Sequence, residues 1–263
     1  MRKAVVLYNP LAGNRQERRR KDIDAVVGVL AGSGVEVSAE PTRGALESSA
    51  QALQAVNDGC DTIFAGGGDG TLHNILQGLV GTQATLGIIP LGTGNVIAHD
   101  LTIPLSPIAA ARAALSGRRR RVAVGKVEFV APSGGMSSRF FLAVLGVGVD
   151  AHLFYKLNAT MKSTIGMASY YAKATHLWLT HPMGSFAAEF TDELGAHRCE
   201  DVSQLLAVRI RNFGGALGEL APGASLDRND LRLAVFRTRS RLAYLRYIMR
   251  CLLRANWAVK GVE

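Results

Sequence analysis

The sequence has little of what holds small extracellular folds together. Its three cysteines, Cys60, Cys199 and Cys251, are odd in number and far apart. They form neither a disulfide framework nor a metal-ligand cluster, which points to a reducing, cytoplasmic setting. No apolar run reaches membrane-spanning length. The run behind Met1-Arg2-Lys3 is too short for a signal peptide. The histidines (His73, His99, His152, His176, His181 and His197) are scattered, and no Ser/His/Asp or Cys/His arrangement can be assembled from spacing. Each reads as a surface or satisfied core residue. Acidic residues are in the minority, 21 against 30 Lys and Arg, and the net charge of +9 calls for an acidic partner: nucleic acid, anionic lipid or nucleotide. No zinc-finger or RNA-motif signature accompanies the charge, so nucleic acid is set aside.

What is present is globular. Hydrophobic residues make up 48% of the 263 positions and charged residues 19%, enough for one large or two modest domains. The basic residues cluster at Arg15 to Lys21, at Arg118 to Arg121 and along Arg237 to Arg254. Taken singly, each cluster reads as a solvated basic face.

The stretch around which the chain is organised is Gly66-Gly67-Gly68-Asp69-Gly70-Thr71. The apolar run Thr62-Ile63-Phe64-Ala65 precedes it, and Leu72, Ile75, Leu76 and Leu79 follow at helical spacing. A buried strand therefore enters a glycine turn and then a helix start, where unpaired N–H groups attract anions and glycines allow close approach of a ligand. Bare phosphate would repel Asp69, which makes better sense beside Mg²⁺ or a ribose hydroxyl. A tight turn without a ligand is the competing reading. A second glycine turn, Leu91-Gly92-Thr93-Gly94-Asn95, follows the apolar run Leu86 to Pro90, and two such turns are harder to explain as packing.

The first half alternates strand and helix. Ala4 to Tyr8 reads as a strand ending in the turn Asn9-Pro10-Leu11-Ala12-Gly13; a helix carries Ile23, Val26, Val27 and Leu30. Val35-Glu36-Val37 is the second strand, with Thr42 in the loop after it. The next helix carries Leu46, Ala50, Leu53 and Val56 on its apolar face. This order predicts a parallel sheet covered by helices on both faces, with ligands at the carboxyl ends of the strands. Asn9-Pro10, Thr42, Asp69 and Thr93 all follow predicted strands and could converge on that edge.

Composition changes at the run Arg118 to Arg121, dividing residues 1–121 from 122–263. Strand-like runs then follow at Val122 to Val130, Phe140 to Leu145, Phe186 to Phe190, Leu205 to Ile210 and Leu231 to Phe236, predicting a mainly antiparallel second domain. An aromatic segment from Ala151 to Leu179, with Phe154, Tyr155, Tyr170, Tyr171 and Trp178, interrupts them. Leu242 to Val259 reads as a helix with Leu245, Ile248, Met249, Leu252 and Leu253 on one side and Arg246, Arg250 and Arg254 on another. Such a helix docks on its own domain with its charges in water, or lies on an anionic membrane.

Several motifs resemble the diacylglycerol kinase catalytic domain, in its bacterial soluble lipid kinase branch akin to sphingosine and ceramide kinases. They are Asn9 to Gly13, Gly66 to Thr71 continuing to Asn74 and Gly78-Leu79, Pro90 to Asn95 through Leu101-Thr102-Ile103-Pro104, Gly146 to Ala151, and Asn212-Phe213-Gly214-Gly215 through Ala221 to Ala224. The resemblance implies an α/β nucleotide-binding domain like that of NAD kinases and phosphofructokinases, followed by a lipid-binding β-sandwich domain. ATP would be lined by Asn9, Pro10, Gly13, Thr42, Gly66, Gly67, Gly68, Asp69, Gly70, Thr71 and Thr93, with Asn95 in support and Asp69 positioning Mg²⁺-ATP. The γ-phosphoryl group would pass in line to a lipid hydroxyl at a membrane surface, diacylglycerol-like or sphingoid. Peripheral membrane contact and a homodimer are further expectations.

Three departures qualify it. The family's late Asp-Gly-Glu segment, which carries its presumed general base, is absent, leaving the catalytic base unassigned. The chain ends at Lys260-Gly261-Val262-Glu263, about where strands leading to that segment would begin, so a truncated form of a longer kinase is expected. A family Asp corresponds to Ala123, and the Asp-Gly that binds a structural Mg²⁺ aligns with Arg228-Asn229, flanked by Asp227 and Asp230. Asp227 is then a weak metal candidate, and Arg228 a candidate for the missing positive charge. Two alternatives are an ATP- and membrane-binding fragment with weak or no catalysis, and an NAD kinase-like soluble kinase. Pro90 to Pro104 and the second-domain motifs weigh against the latter.

Overall fold

Four runs of six residues make the first sheet: β1 (Lys3–Tyr8), β2 (Glu36–Pro41), β3 (Thr62–Gly67) and β4 (Thr85–Pro90), with the inner strands β1 and β3 apolar and buried and the edge strand β2 more polar and exposed. The strand order is β2-β1-β3-β4 and every pair is parallel. The register pairs Tyr8 with Pro41 and Gly66, and Gly67 with Pro90, so the strands end level at one edge. The computed structural model describes residues 1–13, 18–149, 151, 176, 178–180, 182–192, 194–214 and 218–263.

Helices α1 (Arg19–Ala31), α2 (Ala45–Asn57) and α3 (Asp69–Leu79) alternate with these strands, and α4 (Val96–Asp100) and α5 (Pro107–Ser116) follow β4 in succession. Strand residues of one parity, Ala4, Val6, Phe64 and Ile89, pack with Ile23, Val26 and Leu30 of α1 and Ala110 and Ala111 of α5. Those of the other parity, Val5, Leu7, Ile63 and Ala65, are equally buried, and α2 and α3 contact β1 and β3. Both faces of the sheet are therefore covered, as its continuous apolar strands require.

One helix face departs from expectation. Of the expected apolar face of α2 (Leu46, Ala50, Leu53 and Val56), the first three point outward, with Leu46 74% exposed, and Val56 is half-buried, while Ser48 and Ala52 are buried. The reason is close approach of backbones: a Cβ on Gly78 of α3 would lie 2.0 Å from the Ser49 carbonyl oxygen. Only small side chains fit between α2 and α3, so the leucines are turned out.

By packing, the chain divides into two compact units. The first holds Met1–Ala143 with Asn212–Gly215 and Leu226–Asn229, and the second Val144–Arg211 with Ala216–Ser225 and Asp230–Glu263. The first unit includes the antiparallel hairpin β5 (Gly125–Val130) and β6 (Met136–Phe141). Gln77 of α3 grips β6 at two points: its Nε2 donates to the Phe140 carbonyl and its Oε1 accepts from the Phe140 N–H, both at 2.9 Å.

In the second unit, β7 (Val144–Gly148), β10 (Gln204–Val208) and β11 (Arg232–Phe236) form an antiparallel sheet of order β11-β10-β7. A second hairpin, β8 (Phe186–Asp192) and β9 (Gly195–Val202), shares a core with it: Ala188, Cys199, Val202 and Val235, flanked by Phe186, Phe190, Leu205 and Leu233. The expected single strand Phe140 to Leu145 is divided between β6 and β7. β9 escaped the sequence because its run, Gly195 to Val202, is largely polar. Helix α6 (Arg241–Leu252) ends earlier than Val259; Leu253 caps it and Arg254 takes a left-handed φ of 50°. Of the aromatic segment, Phe154, Tyr155, Tyr170 and Tyr171 lie outside the described residues.

Candidate functional site

Three turns meet at the carboxyl edge of the parallel sheet, and their contacts are made largely by backbone. Asn9 opens the first turn: its N–H donates to the Gly66 carbonyl at 2.8 Å, while its side-chain Oδ1 accepts from the Leu11 N–H at 2.9 Å. The Asn9 amide thus folds the turn locally. Pro10 is exposed beside it. Gly13 has φ +65°, and a Cβ there would lie 2.5 Å from the Leu91 carbonyl oxygen of the third turn. Only glycine satisfies both conditions.

The second turn leaves β3 through Gly66, packed on the Tyr8 side chain, and Gly67, packed on Thr71; a Cβ would come within 2.8 Å of Tyr8 Cβ at the one and 2.4 Å of Thr71 Oγ1 at the other. Gly68 caps α3 in an extended conformation, and no side chain among the described residues bonds to the helix start. The N–H groups of the first turn of α3 are thus left to water or to a ligand, with the positive end of the helix dipole behind them. Gly70 sits exposed in that turn with open space around it, and Thr71 is buried below.

The third turn hangs from Leu91, whose N–H donates to the Gly67 carbonyl at 2.9 Å. Gly92 lies against the second turn so closely that a Cβ would be 2.4 Å from Gly68 Cα. Asn95, buried and left-handed at φ 49°, closes this turn on itself: its Oδ1 accepts from Gly92 N–H at 3.0 Å and its Nδ2 donates to Gly92 O at 2.8 Å. Thr93 projects from the tip, exposed. Asp69 joins the two glycine turns, its Oδ1 accepting from the Ile97 N–H at 3.3 Å. Its Oδ2 lies toward Gly94, 3.2 Å from where a Cβ would stand. Thr42 follows β2 on the same edge, its N–H bound to the Tyr8 carbonyl at 2.8 Å. The structure thus gathers Asn9, Pro10, Gly13, Thr42, Gly66 to Thr71, Thr93 and Asn95 along one edge of one unit.

Two contributors were not legible as site residues. Arg19, from the basic run read as solvated, is 5% exposed. Its Nη2 donates to the Ala12 carbonyl and, at 3.3 Å, to the Leu91 carbonyl, pinning the first turn to the third. Burial lowers its pKa, Asp22 opposing the shift from 3.9 Å; the guanidinium stays charged regardless. The second is the distant segment Asn212-Phe213-Gly214. Its Asn212 N–H donates to Asp100 Oδ1 at 2.8 Å, and a Cβ on Gly214 would lie 2.4 Å from the His99 ring. It therefore packs on α4 directly behind the third turn.

Asp227 sits apart from these turns, its Oδ1 2.5 Å from Arg120 Nη1. Among the described residues no three His, Cys, Asp or Glu side chains converge on a point. A structural Mg²⁺ cage does not fit the side chains around Asp227, where Arg120 supplies the positive charge. A Mg²⁺ carried in by nucleotide phosphates does fit the site edge, since it needs one or two protein carboxylates and Asp69 offers one.

Residues 3–127 match the family model described as the diacylglycerol kinase catalytic domain. The first part of the chain is thus similar to that catalytic domain. The match spans every turn of the site, from Asn9 to Asn95. A diacylglycerol kinase of Staphylococcus saprophyticus is 27% identical over 250 residues, covering 94% of this chain and 77% of its own length. One of Bacillus subtilis is 27% identical over 249 residues with the same coverage, 94% and 77%. In fold, the chain is similar to the crystal structure of a diacylglycerol kinase from Bacillus anthracis, at TM-score 0.69 and 22% identity over 94% of this chain and 78% of that one. Among the described residues, no helix is long and apolar enough to cross a membrane.

Proposed function

We propose that the chain binds ATP on the three turns and transfers its γ-phosphoryl group to a lipid hydroxyl. The observation that carries this reading is the backbone contact of Gly68 with Gly92 above the uncapped start of α3. It holds the second and third turns together beside the first N–H groups of α3, to which no side chain among the described residues bonds, and such a helix start suits phosphate oxygens. The diacylglycerol kinase names of the relatives support a lipid as acceptor.

In this reading the turns from Asn9 and Gly66 hold the phosphates, Thr42 and Thr93 flank them, and Asp69 faces the metal that arrives with ATP. Mg²⁺, when bound, neutralises phosphate charge. The acceptor oxygen forms a bond to the γ-phosphorus as the bond to the β,γ-bridging oxygen breaks; ADP leaves, and the hydroxyl proton passes to water. Catalysis here is positioning and charge neutralisation.

The test is incubation with γ-labelled ATP, Mg²⁺, NAD and mixed lipid vesicles, followed by organic extraction. Label in the organic phase is expected, and its migration names the acceptor. Label confined to a soluble dinucleotide, or calorimetry showing no ATP binding, overturns the reading.

A further inference from the structure

Helix α6 is docked by the face that looked less apolar. Ala243, Tyr244, Tyr247 and Cys251 are buried. Tyr244 stacks on Phe236 at 4.7 Å between ring centroids, and Tyr247 meets the same ring edge-on at 4.8 Å. The Tyr244 hydroxyl lies 2.8 Å from Ser203 Oγ, and the Tyr247 hydroxyl donates to the Leu220 carbonyl. These contacts fix the helix about its own axis. It cannot roll to bury its other side.

That other side is apolar. Leu242, Leu245 and Met249 are 56%, 46% and 46% exposed, and Ile248 and Leu252 lie beside them. At 100° per residue they form one band opposite the tyrosines. Arg246 and Arg250 run along one border of the band; Arg250 lies over the Tyr247 ring at 4.6 Å. From Arg237 to Val262 the sequence has seven basic residues and no acidic one. Arg237 and Arg239 are near Glu263 and Asp201, at 3.5 and 3.7 Å, whereas Arg246 and Arg254 have no ion pair among the described residues. Trp257 is exposed just beyond the helix.

We propose that this outward face of α6 docks on the surface of an anionic lipid bilayer. A helix with an apolar band opposite its own domain and guanidinium groups at the border lies in the plane of a membrane, with leucines among acyl chains and arginines at lipid phosphates. An exposed indole is a side chain suited to a membrane interface. A second copy of the chain fits less well, because antiparallel facing of the α6 bands would bring Arg246 and Arg250 toward their own kind, and no acidic residue lies between Arg237 and Val262 to meet them in a parallel pair. The proposal deepens the lipid kinase reading and rests on it for the choice of a bilayer as partner.

The test is sedimentation of the 263-residue chain with phosphatidylcholine vesicles, with and without about one third phosphatidylglycerol, in the absence of nucleotide. Binding to the anionic vesicles alone is expected, falling about tenfold or more in a Leu245→Gln/Met249→Gln variant and about fivefold in Arg246→Gln. Both variants change exposed side chains, so their melting temperatures should match that of the parent. Unchanged vesicle binding by the double variant overturns the proposal. So does a dimer in sedimentation velocity that the double variant converts to monomer. Label transfer from ATP to lipid dispersed in detergent, run in parallel, separates the two readings. Vesicle binding without label transfer removes the kinase reading and leaves the surface; label transfer without vesicle binding removes the surface alone.

Discussion

Asp69 Oδ1 accepts a hydrogen bond from the Ile97 N–H at 3.3 Å, across 28 positions of sequence. The carboxylate thus serves the architecture of the site as well as its charge: it ties the start of α3 to the start of α4. Asp69→Asn keeps an oxygen acceptor in place and removes the charge. It should leave the melting temperature near that of the parent while label transfer from ATP falls at least tenfold. Asp69→Ala should lose both, with about 1 kcal/mol of stability gone in denaturant titration.

The glycines divide into those that packing demands and those that only a ligand would demand. Gly92→Ala drives a Cβ into Gly68 Cα at 2.4 Å, and overpacking of that kind costs about 1–3 kcal/mol. Gly70→Ala meets nothing within 4 Å and should stabilise the helix by about 0.5–1 kcal/mol. If phosphate approaches the first turn of α3, Gly70→Ala raises the melting temperature yet weakens ATP binding in calorimetry. Unchanged ATP affinity would place the nucleotide elsewhere.

Arg19→Met should remove the bridge between Ala12 and Leu91 while keeping most of the side-chain volume. Two carbonyls lose a donor in a buried setting, a loss of about 1–3 kcal/mol. If the arginine sets the spacing of the turns, KM for ATP rises and Arg19→Lys restores part of it.

His73, on α3, has its pKa lowered by burial, with the Arg139 charge adding to the shift. Folding therefore favours the neutral imidazole. The stability this contributes is present above the unfolded-state value of about 6.5 and is lost as pH falls through the lower folded-state value. His73→Gln should flatten that decline, measured as melting temperature against pH on the acid side of 6.5. An unchanged profile would assign the acid sensitivity to other groups.

The Gln77 side chain replaces a strand partner for Phe140. Gln77→Ala leaves both backbone groups of Phe140 without that partner and should cost about 1–3 kcal/mol. Faster amide exchange confined to the hairpin β5–β6 would locate the effect.

The sequence by itself determined the parallel half of this protein. Runs such as Ala4 to Leu7 and Ile63 to Ala65 bury both faces of a strand, glycines punctuate their ends, and the alternation with helices leaves one topology in which the turns share an edge. Legible, too, were the glycine turns and Asp69, because backbone approach and strand-end position are local properties. Tertiary structure alone decided which face of a helix is inside. On α2 and α6 the larger aliphatic residues look outward, because contact with Gly78 in one case and stacking on Phe236 in the other favours small or aromatic residues at the interface. Periodicity locates an apolar stripe but not what it meets. The same limit hid Arg19, whose charge suggests solvent until two carbonyls 79 positions apart in the chain (Ala12 and Leu91) are brought to its guanidinium. It also hid Asn212 to Gly214, which reaches α4 only once the chain has folded back.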